Sequence, residues 1–555
     1  MKITRHHLIL TASVLLTFIF SAFIFNIPGV VKINKEIIES AEKIIGLQFT
    51  DAERDSMQDA LNDQLVNYGN IRKIKLDNSI PPAIQLNPIP EGFKINTKQK
   101  PVAYSSYSYA KMPKNIEDLA YYSVGELARL IKTRQITSTE LTRFFINRLK
   151  KLSPKLFCVI TLTEDLAMKQ AAKADEEIKK GKYRGMLHGI PFGVKDLLAT
   201  KGYKTTWGAP PYKDQMIDED ATVVKKLEDA GAVLCAKFSM GELAMDDVWF
   251  GGMTRNPWDT SQGSSGSSAG SASAVSAGII PFAIGTETWG SIVSPSTVCG
   301  VTGLRPTYGR VSRTGAMALS WTMDKIGAIC RNSEDLAIVF NAMRGKDGKD
   351  QTLYDAAFNY SPKINFRKMR IGYLKKDFEG KYSSHANDSL ALKKLEELGA
   401  TLIPIELPDV STEDLAIILN AEAGAAFDEL TRSGRDDQLV RQMKSSWPNI
   451  FRTSRFIPAV EYINANRLRY ILIQEMKKLF DKVDFYISPS LKGNNLLTTN
   501  LTGHPCVVVP DGFSKRGMPT SITFIGNLFD EATIIAAAKA YQDATGFHKK
   551  HPVIK

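Results

Sequence analysis

Serine hydroxyl groups are concentrated in one part of this 555-residue sequence. From Gly263 the chain runs GSSGSSAGSASAVSAGIIPFAIGTETWGS and reaches Ser291. Small residues over 272–278 predict a helix, the apolar run 279–284 predicts a buried strand, and 285–291 forms a second glycine-bearing loop. Because a helix followed by a strand returns the chain to one edge of a sheet, the two serine-bearing loops can meet. Serine is a nucleophile once a neighbour takes its proton, so the segment indicates covalent catalysis.

A lysine occupies the end of another predicted strand. The segment 189–194 is short and mostly apolar, and Lys195 follows it directly. Residues 232–236 predict a similar strand behind a helix, and such alternation implies an α/β fold with a largely parallel or mixed sheet sandwiched between helices. Active residues of such folds collect at strand ends, which is the place that Lys195 occupies.

These segments resemble the signature of the amidase signature family, whose members hydrolyse amides with a Ser–cisSer–Lys triad. The resemblance extends from about Asn115 to Pro552. It includes HGIPFGVKDLL at 188–198 and TGHPCVVVPDGF at 502–513. It implies the family's fold, a large twisted mixed β-sheet between helices, and hydrolysis of a carboxamide C–N bond in a small molecule or peptide.

The resemblance also implies catalytic roles for three residues. Ser291 is similar to the family's nucleophile, Ser267 to its cis-serine and Lys195 to its base, and the reaction passes through an acyl-enzyme. Lysine accepts a proton only when it is neutral, so burial or a positive potential must lower the pKa of Lys195.

The loop before the predicted nucleophile is the candidate oxyanion hole. The resemblance places the backbone N–H groups of Thr288, Trp289, Gly290 and Ser291 there, and losing one such donor typically costs about 10²–10³ in rate. Trp289 stands where the family more often has glycine. We therefore expect its ring near the site and predict Trp289 and Ser268 as substrate-pocket residues.

Three further interpretations compete with an amidase. Residues 266–270 satisfy G-x-S-x-G, so Ser268 could be the nucleophile of an α/β-hydrolase-type esterase with His188 or His504. That motif needs a preceding strand, whereas 255–262 is polar and predicts a turn. The second interpretation is a glutaminase similar to the A-subunit of an amidotransferase, and the third is a non-catalytic binding module.

Composition limits the possible partners. The net charge of +12 comes from 71 basic and 59 acidic residues without a basic block, so we expect no nucleic-acid partner. Metal-binding motifs, a P-loop and G-x-G-x-x-G are missing from the sequence, so we expect neither metal nor cofactor. The five scattered cysteines predict buried thiols. The sequence leaves the oligomeric state open.

An uncharged apolar stretch lies near the N-terminus. Leu8–Phe25 is long enough to span a bilayer as an apolar helix, and Lys2 and Arg5 precede it. We expect a signal peptide or a membrane anchor over 1–35, with the catalytic domain on the non-cytoplasmic side, in the bacterial periplasm.

A helical arm and an extended connector are predicted over 36–114. Isoleucines at helical spacing precede Gly46, and Thr50 with Glu53 predicts a capping box at the start of a second helix. Residues 79–113 are rich in proline and polar residues, which favours an extended connector. The amidase domain is then expected over 115–555. In that domain Ser123 and Thr137 predict capping boxes with Glu126 and Glu140, and Asp220 predicts the cap of a further helix.

Overall fold

The computed structural model describes residues 32–554, so the predicted apolar helix at Leu8–Phe25 lies outside the described residues. Within the described range, no helix has both the length and the apolarity needed to cross a bilayer. The chain divides into two compact units, Met1–Asp77 and Asn78–Lys555. The second unit therefore begins inside the range predicted as arm and connector.

The first unit contains the two predicted arm helices, α1 (Lys35–Ile45) and α2 (Asp51–Lys73). Helix α1 ends at Gly46, whose positive φ of 70° favours glycine. Helix α2 begins with the predicted capping box, in which Thr50 and Glu53 exchange side-chain and backbone hydrogen bonds. Both helix predictions are confirmed.

Helices in the second unit follow a connector of turns and irregular backbone. The α-helices are α3 (Val124–Lys132), α4 (Ser138–Leu156), α5 (Glu164–Lys179), α6 (Thr222–Asp229), α7 (Ala269–Ser276), α8 (Val293–Cys299), α9 (Ser333–Met343), α10 (His385–Glu397), α11 (Ile417–Ala426), α12 (Asp428–Arg432), α13 (Trp447–Ser454), α14 (Ala459–Phe480), α15 (Asn495–Thr502) and α16 (Glu531–Thr545).

The strands form one large sheet and two small ribbons. They are β1 (Val159–Leu162), β2 (Pro191–Lys195), β3 (Val233–Phe238), β4 (Val248–Trp249), β5 (Gly252–Met253), β6 (Arg255–Asn256), β7 (Asp259–Gly263), β8 (Phe282–Glu287), β9 (Thr302–Arg305), β10 (Lys325–Cys330), β11 (Ile371–Leu374), β12 (Leu402–Ile405), β13 (Phe485–Pro489), β14 (Cys506–Phe513) and β15 (Pro519–Gly526). The large sheet has the order β1-β3-β2-β8-β10-β9-β14-β15-β13-β11-β12.

The large sheet is mixed, as predicted. Strand β2 pairs in parallel with β3 and β8, whereas β8 pairs antiparallel with β10. Every residue of β2, β3 and β8 is buried, which is the burial expected of central strands covered by helices on both faces. The parallel pairing brings the carboxyl ends of β2 and β8 to the same edge, and that edge holds the candidate site.

Two of the three helix caps predicted in the second unit are present. The capping boxes predicted at Ser123 and Thr137 open α3 and α4. Asp220 was predicted to cap α6, but the cap position is Ala221 and the Asp220 carboxylate accepts a hydrogen bond from the Lys201 backbone N–H instead. That prediction was wrong because the Asp220 carboxylate binds the Lys201 backbone N–H and not a backbone N–H of the first turn of α6.

Candidate active site

Lys195 lies at the carboxyl end of β2 with no exposed surface. Its Nζ lies 2.7 Å from Ser267 Oγ and 2.9 Å from Thr286 Oγ1. Burial lowers the pKa of Lys195 to about 7, although the charges of Asp324 and Glu287 oppose this effect. A large fraction of this amine is therefore neutral near pH 7 and able to accept a proton.

Ser267 links the lysine to the second serine. Its Oγ lies 2.9 Å from Ser291 Oγ, so hydrogen-bonding distances connect Ser291, Ser267 and Lys195 in one continuous path. The Gly266–Ser267 peptide bond is cis. A Cβ atom at Gly266 would lie 1.7 Å from the backbone oxygen of Asp246, so only glycine fits at this position.

Ser291 lies in the short loop between β8 and α8, and 9% of its surface is exposed. Across residues 32–554, the backbone N–H groups of the four residues predicted for the oxyanion hole donate to no protein acceptor: Thr288, Trp289, Gly290 and Ser291. Gly290 has a φ of 89°, which a residue with a side chain rarely adopts. The loop therefore has donors free for a substrate oxygen.

Comparison with known proteins identifies the family of this chain. A model of the Amidase family matches residues 140–535. The A-subunit of the glutamyl-tRNA(Gln) amidotransferase from Coxiella burnetii (strain Dugway 5J108-111) is 33% identical over 482 residues, covering 78% of this chain and 99% of the relative. The chain belongs to the amidase signature family.

Solved structures of the family share the fold. The peptide amidase of Stenotrophomonas maltophilia is 28% identical with a TM-score of 0.71, covering 79% of this chain and all of that one. The A-subunit of the Thermotoga maritima glutamyl-tRNA(Gln) amidotransferase is 26% identical with a TM-score of 0.67, covering 79% and 98%. Family membership confirms the prediction of an enzyme that hydrolyses amide C–N bonds.

Glu287 anchors the loop that contains Ser291 at its C-terminal end. Its carboxylate accepts hydrogen bonds from the backbone N–H groups of Ile292 and Val293 and from the side chains of Arg305 and Asn500. Burial raises the pKa of Glu287, but these donors outweigh burial and hold the pKa at about 2. Sequence reasoning missed Glu287, because Asn500 lies more than 200 residues away along the chain.

Asp324 anchors the same loop at Thr288. It accepts hydrogen bonds from the Thr288 hydroxyl at 2.5 Å and from the backbone N–H groups of Leu319 and Ser320. Burial raises the pKa of Asp324, and these donors partly offset that effect. Asp324 thereby ties the predicted oxyanion loop to the 319–320 turn.

A cavity of about 280 Å³ lies beside the loop and is lined by Thr286 and Thr288. Neither Ser268 nor Trp289, the two residues predicted for the substrate pocket, lines this cavity. The Ser268 hydroxyl is buried, where it donates to Thr286 O and accepts from Thr286 N–H. The Trp289 side chain is 45% exposed.

The histidines of the esterase interpretation have other partners. His188 Nδ1 accepts a hydrogen bond from the Arg184 backbone N–H, and His504 Nδ1 lies 2.8 Å from Thr502 Oγ1. Burial lowers the pKa of His504 to about 3. The segment 255–262, predicted as a turn, instead forms the β6–β7 ribbon outside the large sheet. Among residues 32–554, the Ser268 hydroxyl has Lys195 and Thr286 as hydrogen-bond partners and no histidine.

Proposed function

We propose that the chain hydrolyses carboxamides through an acyl-enzyme, with Ser291 as nucleophile, Ser267 as proton relay and Lys195 as base. The supporting observation is the continuous path of 2.9 Å and 2.7 Å that joins the two hydroxyl groups to a buried amine. An amine with a pKa of about 7 exchanges protons efficiently near neutral pH.

Acylation begins when Ser291 Oγ attacks the carbonyl carbon of the amide. The Ser291 proton moves to Ser267 Oγ while the Ser267 proton moves to Lys195 Nζ. The backbone N–H groups of 288–291 stabilise the negative charge that develops on the carbonyl oxygen. When the C–N bond breaks, the leaving nitrogen takes the proton back from Lys195 through Ser267.

Deacylation uses the same path, with a water molecule in place of the Ser291 hydroxyl. A water molecule donates its proton through Ser267 to Lys195 as its oxygen attacks the acyl carbon. The C–Oγ bond to Ser291 then breaks, Ser291 regains a proton, and the carboxylic acid leaves. Each half-reaction returns Lys195 to its neutral state.

The nucleophile assignment is tested with the variant Ser291→Ala. We expect hydrolysis of a panel of primary amides to fall by at least about 10³-fold, since removing the nucleophile of a triad removes the covalent route. Labelling by a serine-reactive fluorophosphonate should disappear as well. Ser294→Ala is the matched control, because Ser294 lies in the same segment and contacts Ser265 rather than the proton path. Loss of less than tenfold in Ser291→Ala would remove the assignment.

A second candidate function is a glutaminase that works with partner proteins. The observation that favours it is the 33% identity with the A-subunit of the Coxiella burnetii amidotransferase over nearly the whole length of that relative. Glutamine hydrolysis by the isolated chain, compared with hydrolysis of acetamide and of a peptide amide, distinguishes the two. Preference for glutamine by more than about tenfold would favour the glutaminase.

We also propose that the uncharged residues 8–25, preceded by Lys2 and Arg5, direct the protein to a membrane. The catalytic unit would then act on the non-cytoplasmic side. This proposal depends on the sequence of that segment alone.

A further inference from the structure

One wall of the cavity beside the nucleophile loop comes from the N-terminal connector. Residues 78–85, here called the strap, contribute Asn78, Ser79, Pro81, Pro82, Ile84 and Gln85 to the lining. The facing wall includes Leu197, Met317 and Trp321. The strap lies outside residues 140–535, the part of the chain that the family model matches.

Hydrogen bonds hold the chain at both ends of this wall. Asn78 Nδ2 donates to Ala318 O at 2.8 Å, and Asn78 Oδ1 accepts from Ala318 N–H at 2.7 Å. At the far end, Asn87 Oδ1 accepts a hydrogen bond from the Tyr354 hydroxyl at 3.1 Å. Among the described residues, 79–86 make no hydrogen bond at all. The wall is therefore anchored at its ends and held between them by packing alone.

Two consecutive prolines stiffen the strap. Pro81 and Pro82 have a restricted φ and no backbone N–H to donate, which favours an extended chain that does not collapse into the cavity. Ile84 lines the cavity although 70% of its surface is exposed. A bound apolar group would cover this exposed surface, so Ile84 is suited to contact the substrate.

The charged side chains of the cavity are mostly neutralised. Arg313 pairs with Asp350 at 3.1 Å, and Asp324 is occupied by three hydrogen bonds. The Lys325 amine donates to Met323 O. Of the other charged lining residues, Glu219 is half-buried and Lys349 is exposed. The buried part of the cavity thus favours an uncharged, apolar group.

We propose that the strap sets the upper size of the acyl group that this enzyme accepts, and that its substrates are primary amides with compact apolar acyl groups. The inference rests on the proposed amide hydrolysis. Ammonia leaves a primary amide and needs no pocket, so we assign the cavity, which borders the loop at Thr286 and Thr288, to the acyl group. A volume of about 280 Å³ lies near the lower limit of ligand pockets, which span roughly 300–1,000 Å³.

The test measures kcat/KM for an acyl series of butyramide, benzamide and 2-naphthamide. We expect Ile84→Ala to raise the ratio of 2-naphthamide to butyramide by about tenfold and Ile84→Trp to lower it, since a few methylene groups in a pocket change specificity by this amount. Ala83→Ser is the matched control, because Ala83 belongs to the strap and does not line the cavity. Ile84 is exposed, so its variants should fold normally.

A second series with enlarged amine groups, from N-methylacetamide to acetanilide, separates the two sides of the scissile bond. Ratios that stay within twofold in both Ile84 variants, or that change only in the amine series, would overturn the role of the strap. If fluorophosphonate labelling of Ser291 persists in those variants, amide hydrolysis itself still stands. A wild-type protein that is neither labelled nor active on any amide would overturn both proposals.

Discussion

At the scale of single residues, burial lowers the pKa of Lys195 and so supports its proposed role as a base. Lysine has an unperturbed pKa of about 10.4, so an exposed lysine is protonated at neutral pH and cannot act as a base. Removal from water penalises the charged amine and lowers its pKa to about 7. The proposed role of Lys195 as a base therefore depends on β2 ending inside the protein.

The pH dependence of hydrolysis follows from that pKa. Protonated Lys195 cannot accept the proton of Ser267, so kcat/KM should rise as the pH increases through about 7 and reach a plateau above it. A pH–rate profile on a neutral primary amide measures this rise. Activity that stays flat from pH 8 down to pH 4 would contradict a lysine base.

The variant Lys195→Arg gives an independent check. A guanidinium stays protonated at every working pH, so the variant should lose activity by at least about 10³-fold at pH 7 and also at pH 9. Because the positive charge is kept, the variant distinguishes loss of the base from loss of a positive group. Recovery of activity at pH 9 would show that the base lies elsewhere.

The residues of the proton path could be predicted from sequence, whereas the contacts that hold them in place could not. Ser267, Ser291 and Lys195 lie in long recognisable motifs, and the structure brings them together. Glu287 also binds Asn500, and Asp324 also binds Thr288, so these carboxylates join separate segments of the chain. A single sequence contains no sign of those contacts.

At the scale of elements, periodicity and capping signals located the helices better than the strand boundaries. The predicted strand 279–284 is shifted, since β8 covers Phe282–Glu287 and residues 279–281 form the turn before it. All of 279–287 is buried, so apolar character alone could not distinguish the turn from the strand. The order of the eleven strands depends on pairings that a single sequence does not contain.

A buried pair of carboxyl groups joins α10 to β14. Asp388 of α10 and Asp511 of β14 are close enough for their charges to interact, and among the described residues Asp388 Oδ1 and Asp511 Oδ2 are buried without a hydrogen-bond donor. Burial raises the pKa of both groups, and the charge of Asp388 raises the pKa of Asp511 further. Thr520 donates to Asp511 and Ser384 donates to Asp388. The pair therefore favours a state that retains a proton.

The raised pKa values of Asp388 and Asp511 predict that the protein is less stable at higher pH. The folded-state pKa values lie above the ordinary aspartate value of about 3.9, so the proton is bound more tightly in the folded protein. The free energy of unfolding should then fall as the pH rises through the raised pKa values, by about 1.4 kcal/mol for each pKa unit. Thermal unfolding between pH 5 and pH 8 measures this fall in the apparent Tm.

The variant Asp388→Asn replaces the shared proton with a permanent N–H donor. We expect it to reduce the fall in apparent Tm between pH 5 and pH 8 relative to wild type. Asp409→Asn is the control, because Asp409 is an exposed carboxylate. An identical pH dependence in wild type and Asp388→Asn would show that the pair does not bind the proton.

At the scale of the whole molecule, the active-site residues all belong to the second compact unit, Asn78–Lys555. We expect a variant that begins at Lys32 to be soluble and to keep the kcat/KM of the full-length protein for small amides. Full-length protein should sediment with membranes and be cleaved by protease added to intact spheroplasts. A soluble, protease-shielded full-length protein would instead support the cytoplasmic glutaminase.

Glu287 accepts a hydrogen bond from Asn500, and β9 pairs with β14. Both contacts join early parts of the chain to parts that are synthesised much later. Asn500 and Cys506–Phe513 leave the ribosome more than 200 residues after Ser291, the proposed nucleophile. At a translation rate of about 5–20 residues per second, that delay is roughly 10–40 s. Throughout this interval the nascent chain already contains both serines and the lysine, but it lacks the partners that fix their loop. We therefore expect hydrolysis to begin only when translation of the chain is nearly complete.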